Sequence, residues 1–457
     1  MGTTTFDELQ KLIEDGSIKT VVCGLTDIWG RLVGKRVTAK SFLQCVGGDV
    51  GLHASVYLFC VDMDMEPRPG YAITDWSRGF QDFVMRPDLA TIRILPWVSQ
   101  TAFVLCDAVD ETSGELLPIA PRSILKAQIA RAESHGITFK CATELEFFIF
   151  RDSYDEAWDK RYRGLIPTSK YRADYHILQS ARDDEVIGEI CEAMANTGIE
   201  VENAKTEWGL GQQEIALRYC DTLEMADRHI MYKSWLKELI SLRGLSATFM
   251  AKPFIEEVGS SCHIHVSMWD KSSDQPIGYY AGTDSHMSAR FGSFVAGMID
   301  NARDFALLSA PTINSYKRFR DSSFAPVRLV VGQDNRTCGF RLVGHGKSFR
   351  VESRIPGADA NPYLALAGMI ASGLQGLETN LPTPPLYTEN AYENPSLPRI
   401  PTTMREATAL FSASDIVRSA LGGRVHDHLK NFAENELEAF ERETVTDWEL
   451  VRYFERI

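Results

Sequence analysis

Hydrophobic and polar positions alternate along many segments of the chain, as they do in half-buried β-strands. In the first quarter this period of two predicts strands at residues 20–27, 32–37, 90–95 and 101–108. Farther along it predicts strands at 139–150, 199–205, 213–218, 247–251, 261–268 and 347–355. Helical spacing of apolar residues predicts helices near the N-terminus and at 121–136, 183–197, 222–244, 288–308, 361–377 and 427–443.

The order of these elements does not follow the regular strand–helix–strand cadence of a parallel α/β sheet. We therefore predict an α+β fold, with a small mixed sheet over residues 1–115 and a larger domain over residues 116–457. The proline-rich segment 379–401 retains Leu, Tyr and Ile, which predicts an ordered surface loop.

Three predicted strands of the larger domain place reactive side chains on one face, because residues two apart leave a strand on the same side. The faces carry Glu144 with Glu146; His263, His265 and Ser267; and Arg350, Glu352 and Arg354. A solvated face is the simplest interpretation of any one strand. Three such faces beside strongly apolar partners favour a shared cavity instead.

Two further carboxylates, Glu207 and Glu214, flank a glycine-rich turn. Five inward-facing glutamates with one or two histidines would repel each other strongly without cations. Oxygen-rich ligand sets of this kind favour Mg²⁺ or Mn²⁺ over Zn²⁺. The sequence therefore predicts a site for two or three hard divalent ions.

Arginines cluster in the same part of the chain. Surface ion pairing could explain each one separately. Interleaved with Glu352, they resemble a clamp for carboxylate or phosphate, because guanidinium groups bind both in a bidentate manner. Metal ions with arginines are typical of phosphoryl transfer. The cluster comprises Arg318, Arg336, Arg341, Arg350 and Arg354.

Composition narrows the function classes. The 457 residues include 48 Lys and Arg against 62 Asp and Glu, a net charge of −14 that argues against nucleic-acid binding. We expect no membrane span, and the first twenty residues lack the order of a signal peptide, so a cytoplasmic protein is predicted. Nine scattered cysteines predict reduced thiols.

A series of short motifs, in this order, resembles the glutamine synthetase superfamily over nearly the whole chain. Within it, the spacing from Glu207 to Glu214 is most similar to the γ-glutamyl-amine synthetase branch. The motifs are Leu-Thr-Asp-Ile-Trp-Gly-Arg-Leu at 25–32, Glu-Leu-Glu-Phe-Phe at 144–148, Gly-Gln-Gln-Glu at 211–214, Lys-Pro-Phe at 252–254, His-Ile-His at 263–265, Asn-Ser-Tyr-Lys-Arg at 314–318, Asn-Arg at 335–336 and Ala-Asn-Pro-Tyr at 360–363.

The resemblance implies an N-terminal β-grasp domain, then a catalytic domain with an antiparallel β funnel and surrounding helices. It implies an enzyme that uses ATP and L-glutamate, forms γ-glutamyl phosphate and then an amide, and assembles as two stacked rings, a dodecamer, with sites between neighbouring subunits. The implied metal ligands are Glu146, Glu207 and Glu214 for one ion, and Glu144, His263 and Glu352 for another. The implied ATP ligands are His265, Ser267, Arg341 and Arg350; those for glutamate or the transferred phosphate are Gly259, Arg318, Arg336 and Arg354.

Two positions depart from the ammonia-using members. His53 stands where an acidic residue receives ammonium, and Phe324 stands where a flap glutamate is expected. An imidazole and an aromatic ring can instead line a pocket for an organic amine, with His53 as a proton relay.

The departures predict a glutamate–amine ligase, with two alternatives left open. One is glutamine synthetase itself, with a nearby acid taking the role of the missing residues. The other is a catalytically silent homologue that acts as a regulator. The candidate acids are Asp49, Asp62, Asp64 and Asp321.

Overall fold

The computed structural model describes residues 4–48 and 50–456. Its first sheet is built from the N-terminal part of the chain. The elements in order are α1 (Phe6–Glu14), β1 (Thr20–Thr26), β2 (Leu32–Thr38), α2 (Ala39–Gly47), β3 (His53–Ser55), β4 (Asp82–Pro87), β5 (Arg93–Ile94) and β6 (Thr101–Val109). The strand order is β2-β1-β6-β4-β3, with β5 also on β6, and only β1 and β6 run parallel. This confirms the predicted mixed sheet.

The second sheet forms a near-closed funnel of ten strands in the described chain. Its strands are β7 (Ile137–Phe150), β8 (Val201–Thr206), β9 (Gln212–Leu217), β10 (Cys220–Asp221), β11 (Ser246–Thr248), β12 (Cys262–Asp270), β13 (Gln275–Pro276), β14 (Val331–Gln333), β15 (Phe340–Val343) and β16 (Arg350–Ser353). The order along the main path is β14-β15-β16-β12-β7-β9-β8. The pairs are antiparallel except β14 with β15, which confirms the funnel with one parallel exception.

Helices surround the funnel, and the α+β class is confirmed. They are α3 (Pro121–Ser134), α4 (Tyr154–Asp159), α5 (Ile177–Asn196), α6 (Thr222–Leu242), α7 (Ala289–Asp300), α8 (Ala306–Ser309), α9 (Pro362–Glu378), α10 (Met404–Ala413), α11 (Asp415–Leu421), α12 (Gly423–Glu443) and α13 (Asp447–Tyr453). None of the described helices is long and apolar enough to cross a membrane. All nine cysteines are unpaired.

Strand β7 shows why the funnel has a polar interior. From Ile137 to Leu145 its odd-numbered residues are buried and its even-numbered residues are partly exposed. The odd-numbered set, which includes Phe139 and Leu145, packs into the larger hydrophobic core. Burial of that face turns Glu144 and Glu146 toward the funnel interior.

Several predicted element bounds were wrong for local reasons. The predicted strand at 90–95 is mostly a turn, because Asp88 accepts a hydrogen bond from the backbone of Ala90 and begins a short 3-10 helix. The predicted helix at 288–308 is divided at Asn301, whose side-chain amide donates to the Gly297 carbonyl. The predicted strand at 347–355 begins only at Arg350, after a short 3-10 turn. The domain boundary near residue 115 stays a prediction.

A buried arginine ties the two sheets together. Arg122 in α3 donates to Asp107 of β6 at 2.6 Å and to both carboxylate oxygens of Asp227 in α6 at 2.9 and 2.8 Å. The Tyr363 hydroxyl at the start of α9 also donates to Asp227, at 2.6 Å. Four elements from both parts of the chain therefore depend on one charged cluster.

Replacing Arg122 with methionine should lower the free energy of unfolding by about 3–5 kcal/mol, because removing one partner leaves buried carboxylates without a countercharge. Urea denaturation measures this value. The matched control is Arg131→Met in the same helix, whose partly exposed ion pair with Glu378 should contribute less than about 1 kcal/mol. Equal losses in the two variants would contradict the assigned role of the cluster.

Candidate active site

The register of the funnel strands brings the predicted residues together. Glu146 of β7 lies opposite Glu214 of β9, and Glu144 lies opposite His263 of β12. On the other side of β12, His265 lies opposite Glu352 of β16, which in turn lies opposite Arg341 of β15. Cross-strand neighbours have Cβ atoms about 4.5–5.5 Å apart, so the five strands supply one continuous polar surface.

Two groups of ligand atoms converge on this surface. Glu144, His263 and Glu352 can each place one ligand atom within 4.8 Å of the other two, and so can Glu146, Glu214 and His263. The first group is one of the two predicted ligand sets. In the second group His263 stands in place of Glu207, so His263 belongs to both.

His263 is buried in an environment that leaves its ring nitrogens without hydrogen-bond partners. Its Nδ1 lies 3.4 Å from a Glu144 oxygen and 3.8 Å from a Glu352 oxygen. Burial, with the nearby Arg354, lowers the pKa of His263 to about 4, so the imidazole is neutral near pH 7. A neutral, unpartnered imidazole between carboxylates is a suitable metal ligand.

Repulsion is strongest around Glu146 and Glu214. Burial first, and then the charge of Glu207, raises the pKa of Glu214 to about 8. Burial and the charges of Glu207 and Glu214 likewise raise the pKa of Glu146. Glu207 itself pairs with Lys205 at 2.5 Å. Burial and mutual repulsion therefore both oppose the ionisation of this pair.

Glu352 and Glu144 are held in the charged form. Although burial opposes ionisation, the nearby His263 and Arg354 lower the pKa of Glu352 to about 2. Its two oxygens accept hydrogen bonds from Arg354 at 2.7 Å and from Arg341 at 2.9 Å. Burial opposes the ionisation of Glu144, but the adjacent His263 and the hydrogen bond from His265 hold its pKa well below the usual range.

The predicted glutamate-binding residues lie beside the second group. Arg318 is 1% exposed and donates to the Ser261 hydroxyl at 3.0 Å and to the Ile355 carbonyl. A Cβ atom on Gly259 would come within 2.5 Å of the Arg318 side chain, which explains the glycine. Gln212 donates both to the Gly259 carbonyl and to Glu146, which connects this arginine to the carboxylates.

The predicted ATP-binding residues extend outward along β12 and β16. His265 Nε2 lies 2.9 Å from a Glu144 oxygen, and its Nδ1 accepts from Arg350 at 3.2 Å, so Nε2 carries the proton. Ser267 is two residues farther along and accepts from the Trp269 indole at 2.9 Å. These side chains lie on the same funnel surface as the carboxylates.

Two predicted residues make no hydrogen bond to a funnel side chain in the described part of the chain. Arg336 is exposed, and its guanidinium makes no hydrogen bond within residues 4–48 and 50–456. His53 is on β3 of the N-terminal sheet, where Nε2 lies 3.2 Å from Glu111. In the part of the chain that is described, no funnel residue bonds to His53. Their predicted roles stay predictions.

Phe324 lies at the funnel mouth, 61% exposed and with φ of 60°. Its ring centroid is 6.4 Å from that of Trp208, and its carbonyl accepts from Arg354 at 3.4 Å. Sequence reasoning did not assign Trp208 to the site, nor Lys205 as the partner of Glu207. The aromatic residue directly after Glu207 was the available signal for Trp208.

Two of the alternative acids contact arginines outside the carboxylate groups. Asp62 accepts from Arg68 at 2.7 Å and from the backbone of Asp64, within one loop of the N-terminal part. Asp321 lies 3.9 Å from Arg399. Asp49 lies outside the described residues.

The residues therefore fit hard divalent ions. Carboxylates supply most of the ligand atoms, a neutral imidazole supplies the rest, and the raised pKa of Glu214 reflects charge that a cation would neutralise. Arginines contact the same carboxylates and can bind further anions. A site of this kind, in a fold of this kind, is typical of enzymes that handle phosphate and carboxylate groups with metal ions.

Comparison with known proteins identifies the family. Residues 118–453 match the glutamine synthetase catalytic domain, and the chain belongs to the glutamine synthetase family, whose members are carbon–nitrogen ligases. The chain is 46% identical over 451 residues to gamma-glutamylethanolamide synthetase GlnA4 of Streptomyces coelicolor, covering 99% of this chain and 96% of that protein. It is 35% identical over 453 residues to the glutamate–isopropylamine ligase of a Pseudomonas species, covering 98% of each.

A solved structure, the GmaS/ADP complex, superposes with a TM-score of 0.84 at 27% identity, covering 98% of this chain and 99% of that one. These similarities confirm the predicted family and its γ-glutamyl-amine branch. They also confirm that the chain is a carbon–nitrogen ligase.

Glu214→Gln should uncouple stability from metal binding. Without metal, the variant should have an equal or higher Tm than the parent, since a buried carboxyl group whose ionisation is opposed by burial and by Glu207 is replaced by a neutral amide. With Mn²⁺ at about 100 times Kd, the parent should gain about 2.7 kcal/mol and the variant clearly less. Thermal unfolding with and without Mn²⁺ measures both. Exposed Glu200→Gln is the control, and an undiminished Mn²⁺ gain in Glu214→Gln would refute the site.

Proposed function

We propose that the protein is an ATP-dependent ligase that joins L-glutamate to a primary organic amine. The γ-carboxylate attacks the terminal phosphorus of ATP, which releases ADP and forms γ-glutamyl phosphate. The amine nitrogen then attacks the acyl carbon, phosphate leaves, and the nitrogen loses a proton to give the γ-glutamyl amide. Two divalent ions, when bound, would neutralise phosphate oxygens in the first step.

The position of Phe324 is the observation that supports an organic amine as the second substrate. A site for ammonium is expected to present an anion, because ammonium is recognised by its charge and its N–H groups and has no carbon part. Here the mouth presents an aromatic ring, with Trp208 beside it. The Phe324 carbonyl contacts Arg354, which binds Glu352, so the ring is connected to the metal-binding surface by two hydrogen bonds. Such a surface suits the carbon part of an amine and attracts an alkylammonium by cation–π interaction.

The arginines provide the positioning. Arg318 lies within reach of the charge of Glu146, and Gly259 leaves room beside it, which supports a role in holding the glutamate substrate. Arg354 and Arg341 orient Glu352, and their guanidinium groups can stabilise the negative charge of the phosphoryl group during its transfer. We infer that Arg336, which is exposed, binds the transferred phosphate once substrates are present.

The amine must also lose a proton. An alkylammonium has a pKa of about 10.4, judged by lysine, so a base must act near the acyl phosphate. His265 already bonds to Glu144 and Arg350, and Glu207 is paired with Lys205. We therefore infer that His53 of a second copy acts as the relay, in a ring assembly in which the N-terminal sheet of one subunit meets the funnel of the next. The two amine-ligase relatives support the substrate class.

An assay of phosphate release distinguishes the candidate functions. The protein is assayed with ATP, Mg²⁺ and L-glutamate, and with NH₄Cl, ethanolamine, isopropylamine or a longer diamine in turn. We expect at least one amine to exceed ammonium about tenfold or more in kcat/KM, since a carbon pocket contributes binding that ammonium cannot use. Equal turnover with ammonium and no gain from any amine would indicate glutamine synthetase instead. No turnover, with no ATP or Mn²⁺ binding by calorimetry, would indicate the silent regulator.

Phe324→Glu should shift the preference toward ammonium, because it restores an anion at the mouth and removes apolar surface. We expect kcat/KM for the best amine to fall about tenfold and that for ammonium to rise. The control is Phe324→Leu, which remains apolar and should retain amine preference. An unchanged ratio in Phe324→Glu would mean that this position does not face the amine.

A further inference from the structure

A large cavity lies outside the candidate active site. Its volume is about 840 Å³, and it is bounded by the loop after β1, by α6, by residues 311–317 and by α12. None of the residues that form the two carboxylate–histidine groups lines it. The volume is in the range of pockets that hold metabolites of cofactor size.

One wall of the cavity is basic. Lys233 and Lys237 lie one turn apart on α6, and Arg31 and Lys317 are also among the lining residues. Lys233 donates to the Ala358 carbonyl at 2.7 Å, and Arg31 is paired with Asp27 at 2.7 Å. By contrast, no carboxylate in the described chain lies within 4 Å of the Lys237 ammonium. Within the described residues, Lys237 is therefore a cation without an anionic partner.

The surroundings of Lys237 destabilise the charged form of its side chain. Lys237 is accessible because it lines the cavity, yet the walls desolvate its ammonium and the nearby Arg31 repels it, which together lower its pKa. Lys233 is buried, and burial together with the charge of Lys237 lowers its pKa to about 8. An anion between these groups would stabilise them both.

The acidic residues that line the cavity do not form ion pairs with Lys237. Asp62 and Glu443 both bind Arg68, at 2.7 and 3.3 Å. Glu436 has a raised pKa because of burial and the nearby Asp62. Asp64 and Asp359 also line the cavity, and Asp359 accepts from the Thr312 and Ser315 hydroxyls at 2.8 and 2.5 Å. In the described chain none of these carboxylates lies within 4 Å of the Lys237 or Lys317 ammonium, so these two cations are available to a ligand.

The remaining walls are apolar. Trp29, Phe249, Met250, Ile313 and Phe440 line the space between the two charged sides. The Phe249 ring centroid lies 5.7 Å from the Lys237 ammonium. An apolar body attached to an anionic group would contact both kinds of wall.

We propose that this cavity is a second binding site, for a small organic anion that joins a flat apolar body to a carboxylate or phosphate held by Lys237 and Lys317. The ligand chemistry differs from that of the funnel, where the walls are acidic. The segment 311–317 also leads directly to Arg318, so the bound anion would lie against the segment that carries this arginine.

Calorimetry of the full chain with phenyl phosphate and, separately, with phthalate tests the site and distinguishes the two anionic groups. We expect at least one probe to bind at millimolar concentration. Lys237→Met should weaken it about tenfold, the usual effect of losing one charge-assisted hydrogen bond, and Lys237→Arg should retain it. Lys317→Met is the second variant if Lys237→Met does not fold. Exposed Lys40→Met is the control.

Acetic anhydride labelling read by mass spectrometry gives an independent measurement. The bound probe should protect Lys237 but not Lys40. Binding of neither probe, or undiminished binding in both Lys237→Met and Lys317→Met, would overturn the proposal. So would binding that His263→Ala abolishes, because the probe would then occupy the funnel. Failure of the ligase assay would leave these results unaffected.

Discussion

Like-charged carboxylates held together in a buried funnel are the constraint on which the rest of this structure depends. Glu146, Glu207 and Glu214 raise one another's energy, and Lys205 offsets only part of that repulsion. Flexible loops would relieve it by moving apart, whereas paired strands cannot do so without losing their backbone hydrogen bonds. The extensive apolar packing behind the sheet, including α6 and α9, keeps these strands in place. The repulsion that remains between these carboxyl groups favours the binding of cations.

The sequence predicted much of this arrangement because the alternation of side chains between the two faces of a strand is a local property. Once one face of β7 is apolar, Glu144 and Glu146 must leave the other face, and no knowledge of neighbouring strands is required. The pairing of strands is a different matter, because register depends on residues far apart in the chain. Hence the faces were predicted correctly. The place of His263 in both ligand groups and the position of Lys205 opposite Glu214 were not predicted.

Loops and helix ends account for most of the remaining differences. Trp208 and Phe324 meet across loops that are distant in sequence, so neither pattern nor spacing could have paired them. The predicted strand at 90–95 had a suitable alternation, but the local hydrogen bond from the Ala90 backbone N–H to Asp88 favours a turn. Asn301 similarly divides a predicted helix by bonding to its own preceding turn. In these last two segments, a single side-chain hydrogen bond outweighs the weak preference of the surrounding residues for a strand or a helix.

Under the proposed function, the two ends of the funnel differ in the chemistry that they present to an incoming amine. The interior is anionic and attracts any cation, so charge at depth cannot distinguish ammonium from an alkylammonium. Discrimination must therefore occur at the mouth, where Trp208 and Phe324 offer apolar surface. Yet the nucleophile is the neutral amine, and within the described chain the funnel histidines are either bonded to Glu144 and Arg350 or lie among the metal-binding carboxylates. Under the proposed function, selection of the amine and its deprotonation are thus separate tasks, and we assign the second to His53 of a second copy.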